Sequence, residues 1–83
     1  MEAKENDLIL IRDYVKGDII IKENIQFNNI EANSIIIEEN VTARLFGKVK
    51  NVILKKGSRL IMHGLILGKV ENLGGELLTF KSL

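Results

Sequence analysis

The sequence predicts an all-β fold, a short right-handed parallel β-helix (β-solenoid) of about four coils. Three observations predict it. Thirteen Ile and five Val stand against three Ala, and β-branched side chains suit a pleated surface better than a helix. Pro is absent, so no strand is barred from a full ladder of hydrogen bonds. Three segments align without gaps: Asp18-Ile-Ile-Ile-Lys-Glu-Asn24, Ser34-Ile-Ile-Ile-Glu-Glu-Asn40 and Asn51-Val-Ile-Leu-Lys-Lys-Gly57. Their starts lie 16 and then 17 residues apart.

In chain order, residues 1–7 are acidic and polar, without the basic flank and apolar core of a signal peptide. They read as a flexible segment ahead of one domain over residues 8–83, and a cytoplasmic location is the default expectation. Leu8 to Ile11 reads as an N-terminal covering strand. The repeated motif supplies one strand of each coil, closed by Asn24, Asn40 and Gly57. Asn and Gly adopt positive φ most readily, so these three are expected at equivalent, stacked corners. Ile25 and Phe27 are in phase but Ile30 is not, so Asn28-Asn29 predicts a bulge or corner. Val41, Ala43, Leu45, Gly47 and Val49 alternate with Thr42, Arg44, Phe46 and Lys48, and the same period runs from Leu60 through Met62, Gly64, Ile66 and Gly68 to Val70. The echo of Gly47-Lys-Val-Lys-Asn51 in Gly68-Lys-Val-Glu-Asn72 predicts a longer third turn of 21 residues. Gly74-Gly75 is a turn. In the competing antiparallel barrel or sandwich it would be a hairpin between Leu73 and Leu77.

Composition narrows the function. There is no Cys, hence no disulfide, and no apolar run long enough for a membrane-spanning helix. Residues 1–40 hold nine acids and four bases, a net of −5, and residues 41–83 hold eight bases and two acids, a net of +6. In a solenoid that asymmetry places opposite charges toward opposite ends and favours head-to-tail contact. His63, the one His, carries outward parity and lacks the nucleophile or polarising partner that a general base needs. No clustered His, Cys or carboxylate spacing suggests a metal, and no cofactor motif is present. Glu23, Glu38 and Glu39 beside Lys22, Lys55 and Lys56 read as a solvated charge ladder. A basic face of Lys48, Lys50, Lys55, Lys56, Arg59 and Lys69 offers nucleic acid an electrostatic footprint, with Phe46 as its outward aromatic. The aliphatic triplets say more. If Ile19 and Ile21 face the core, Ile20, Ile36 and Ile53 form an outward stripe; if the middle residues face in, two stripes point out; a local corner could avoid both. An exposed aliphatic stripe marks an interaction surface.

Gly17-Asp-Ile-Ile-Ile21, Ala43-Arg-Leu-Phe-Gly-Lys-Val49 and Met62-His-Gly-Leu-Ile-Leu-Gly-Lys-Val70 followed by Asn72-Leu-Gly-Gly75 resemble the bactofilins. The likeness covers about residues 15–80 and rests on pattern rather than on one diagnostic motif. These are short right-handed β-helices that polymerise end to end as bacterial scaffold filaments. The resemblance implies a non-catalytic, self-associating structural protein, here a shortened relative whose end coils would meet, with Phe80 and Leu83 at the C-terminal end. The alternatives are an adaptor or inhibitor that binds a protein through the stripe, and nucleic-acid binding through the basic half. The expected interface residues are therefore Ile20, Ile36, Ile53, Phe46, Lys55, Lys56, Phe80 and Leu83.

Overall fold

The computed structural model describes residues 8–80, so the N-terminal segment 1–7 and Leu83 lie outside the described residues. Six strands follow in order: β1 (Ile9–Ile21), β2 (Ile25–Ile37), β3 (Thr42–Leu54), β4 (Arg59–Ile66), β5 (Val70–Asn72) and β6 (Glu76–Phe80). Every pairing is parallel: β1 with β2, β2 with β3, β3 with both β4 and β5, and β4 with β6. A hairpin at Gly74-Gly75 would have paired β5 with β6 antiparallel, and they pair instead with the coil below. The described residues form a β-solenoid of about four turns without helix.

Stacking defines the coils. Ile9, Ile25, Ala43, Leu60 and Leu77 form one inward column, in steps of 16, 18, 17 and 17 residues. Ile11, Phe27, Leu45 and Met62 form the next inward column. On the third face Ile19, Ile35, Val52 and Val70 stack, as do Ile21, Ile37, Leu54 and Asn72. The core is these columns together with Ile30, Ala32 and Val49 of the remaining face: Ile35, Ile37, Leu45, Leu54, Leu60 and Met62 are fully buried. Strand alternation then sends the middle residue of each triplet outward, which selects the single-stripe arrangement.

Two expectations about the repeat need correction. The third turn is not lengthened, because Gly47 pairs with Gly64 rather than with Gly68. The two glycines sit where coils approach closely: a Cβ on Gly64 would lie 1.9 Å from the Gly47 carbonyl oxygen. Asn24 is not equivalent to Asn40 either. Asn40 and Gly57 share a corner, both with positive φ (61° and 74°), and the Asn40 N–H donates to the Lys56 carbonyl. Each closes a turn in which Val41 N–H reaches Glu38 O and Ser58 N–H reaches Lys55 O. The first corner, Lys22 to Asn24, is two residues shorter, since Ile21 pairs Ile37 while Ile25 already pairs Ala43. Asn24 serves there as an acceptor, its Oδ1 taking the Thr42 N–H at 2.8 Å. The Asn28-Asn29 bulge occurs as expected, at the register shift between Phe27 and Ile30. Leu8 to Ile11 is no separate cover: Ile9–Ile11 opens β1 and stacks in register on Ile25–Phe27.

Candidate interaction surfaces

The outward side chains also form columns, and these columns are the candidate sites. Ile20, Ile36 and Ile53 share one, continued by Glu71. Ile20 is 55% exposed, and Ile36 and Ile53 are half-buried. A second column brings together residues that the sequence leaves apart. Phe46, His63 and Phe80 are register partners, and their rings stack at centroid distances of 4.4 and 4.9 Å, tilted by 6° and 16°. Those distances bracket the spacing of neighbouring strands, about 4.8 Å, so the backbone sets the ring separation. His63 thus has two aromatic partners, where the sequence reading assigned it none. The signal was available: 46, 63 and 80 are spaced by 17, the coil length. Beside this ladder run Arg44, Ile61 and Leu78, and Ile61 is buried although it faces outward and lies outside the core cluster.

Charges follow the same vertical logic. Lys55 Nζ donates to both Glu38 oxygens at 3.1 and 3.3 Å, and Arg59 Nε donates to Glu76 Oε1 at 2.8 Å. Glu31 lies between Lys16 and Lys48 in register, and accepts the Tyr14 hydroxyl. That bond, with smaller contributions from burial and the Glu31 charge, raises the Tyr14 pKa above its ordinary value. Asp18 Oδ1 accepts from Asn33 Nδ2 and Ser34 Oγ, each at 3.0 Å, and these two bonds hold its carboxyl below the ordinary value. Lys55 and Lys56 occupy the corner after β3, between the Glu38–Asn40 corner below and the Gly74 turn above, and not on an open end. The charge asymmetry runs along the axis, net −3 over residues 9–42 and +5 over residues 43–80, and it is concentrated in the two middle coils. The acids of residues 25–42 (Glu31, Glu38, Glu39, no bases) sit one coil below the bases of residues 43–59 (no acids), while residues 9–24 balance three of each. The asymmetry pairs coil with coil inside the protomer.

The ends differ from the middle. Among the described residues, the exposed large apolar side chains fall into two groups. Ile9, Leu10, Tyr14 and Ile20 belong to the first coil, and Leu65, Leu67, Val70, Leu73 and Phe80 to the last. Among the described residues each end also presents an uncovered strand edge, because there β1 pairs only β2, and β5 and β6 each pair a single strand. Beside the short first corner a cleft of about 330 Å³ is lined by Ile20, Ile21, Lys22, Glu23, Ile25 and Phe27. No group of three or more potential metal ligands occurs among the described residues, and no helix is long and apolar enough to cross a membrane. No protein-family model, curated protein or solved structure matches the chain.

Proposed function

We propose that this chain is a non-catalytic structural protein that self-associates through its end coils, as the likeness to bactofilins implies. One observation carries the reading: the exposed large apolar side chains belong to the two terminal coils, beside open strand edges. Unpaired edge N–H and C=O groups template the addition of another strand, and apolar side chains on the same edge add a hydrophobic driving force. The stripe of Ile20, Ile36 and Ile53 supports a second reading, docking of a different protein along the side of the solenoid.

Light scattering over a concentration series tests the first reading. The mass is expected to rise above the 9.4 kDa protomer as concentration increases. A constant 9.4 kDa across the series would overturn self-association. Ile53→Lys separates the readings, since Ile53 lies on the stripe in the third coil, between Ile36 below and Glu71 above, and not on an open strand edge. Self-association that survives this change runs through the ends, and self-association that vanishes with it runs through the stripe and overturns the end-coil reading.

A further inference from the structure

β1 is close to a palindrome in the properties that matter for pairing. Its 13 residues read Ile9-Leu10-Ile11, then Arg12-Asp13-Tyr14-Val15-Lys16-Gly17-Asp18, then Ile19-Ile20-Ile21. Two aliphatic triplets flank a polar centre that begins with Arg12 and ends with Asp18. Register shifts after Ile11 and after Gly17 bend the strand into three segments. The outer segments would therefore exchange under a two-fold axis through the middle one.

We propose that two copies of this chain join by antiparallel pairing of their β1 edges about a two-fold axis at Val15. The proposal rests on the end-coil reading above and names its partner, symmetry and register. Ile9 then faces Ile21 of the second copy, Leu10 faces Ile20, Ile11 faces Ile19, and Val15 faces its own mate. Directly opposed residues of an antiparallel pair point to the same side. The in-and-out pattern obeys this: Ile11, Val15 and Ile19 pack against the core, while Leu10 and Ile20 are exposed. Inward residues of the first coil, which have no coil beneath them among the described residues, gain one, and the core columns become continuous across the axis.

Charge agrees with shape. Arg12 of each copy faces Asp18 of the other, giving two opposite-charge pairs. The hydrogen bonds to Asp18 from Asn33 and Ser34 both fall on Oδ1, which leaves Oδ2 for a guanidinium. Neighbouring registers fail. An axis at Tyr14 sets Arg12 against Lys16 and Leu10 against Asp18, and an axis at Lys16 sets Arg12 against Ile20. An axis between two residues opposes inward with outward side chains along the whole strand. A two-fold contact is closed, so this edge joins two copies and no more.

The absence of Cys makes cross-linking a clean test in the full chain. Leu10→Cys mixed with Ile20→Cys is expected to give a disulfide-linked dimer on mild oxidation. Opposed Cα atoms lie about 4.5–5.5 Å apart in such a pair, within disulfide reach. Either variant alone should not cross-link. Light scattering supplies the second arm: Arg12→Asp and Asp18→Arg should each weaken association at least about tenfold, and an equimolar mixture should restore it, because both contacts are again opposite in charge. Recovery on mixing also shows that both variants fold. A wild-type chain that associates without the mixed cross-link overturns this register while leaving self-association standing. A wild-type chain that stays monomeric overturns both.

Discussion

Two glycines with left-handed φ sit in opposite circumstances, and the contrast isolates what close approach between coils contributes. Gly47 (φ 143°) has the Ile30 carbonyl oxygen 2.0 Å from where a Cβ would stand, whereas Gly17 (φ 106°) has nothing within 4 Å. Gly47→Ala must push the second and third coils apart, at a cost of about 3 kcal/mol or more. Gly17→Ala carries only the backbone penalty, about 1–2 kcal/mol. Urea denaturation of the two variants is expected to show that order, and a reversed order would mean that the third coil yields easily at Gly47. The stacked pair Gly47 and Gly64 was hidden in the sequence for an instructive reason. The Gly-Lys-Val at 68–70 copies 47–49 letter for letter, yet Val70 stacks on Val52. Identity of letters competes with register, and register is decided by the inward columns.

At the scale of the element, the strands were legible and the corners only partly so. Alternation in Val41 to Val49 predicts which side chains are buried, because a strand has one inward face and a slip of one residue would invert it, whereas in Leu60 to Met62 the outward Ile61 is buried as well. Asn24 misled because its type suits two jobs. Asn40 uses tolerance of positive φ, while Asn24 uses its side-chain carbonyl in a corner two residues shorter. The aromatic ladder was missed because Phe46, His63 and Phe80 occur once per coil and never near one another in the chain. It yields a prediction. Each stacked aromatic pair is worth about 0.5–1.5 kcal/mol beyond area burial, and His63 takes part in two. His63→Ala should lower the unfolding midpoint, and His63→Phe should hold or raise it. Equal losses from both substitutions would show that the rings merely coincide with the strand spacing.

At the scale of the molecule, a solenoid converts distance along the chain into height, so charges one coil apart in sequence become vertical neighbours. Acidic residues 25–42 lie under basic residues 43–59, with Glu38 bonded to Lys55 and Glu31 paired in register with Lys48. Each such pair is partly exposed and worth no more than about 1 kcal/mol, with screening by salt. Together they bind the middle of the stack, while the first coil, with three bases and three acids, carries no net charge to steer another molecule head to tail. Reversing Lys55 and Lys56 to Glu therefore acts within the protomer. Glu at both positions would stand one coil above Glu38 and Glu39, turning attraction into repulsion at a corner that the Gly74 turn still covers. The double variant is expected to unfold at a temperature several degrees below the wild type, with the gap narrowing as salt rises from 0.05 to about 0.5 M and the Debye length shrinks. Its association at low salt, measured well below its unfolding temperature, should match the wild type. A variant that keeps its unfolding temperature but loses association would place these lysines at the interface, and would restore the polar, head-to-tail arrangement that the halves of the sequence suggest.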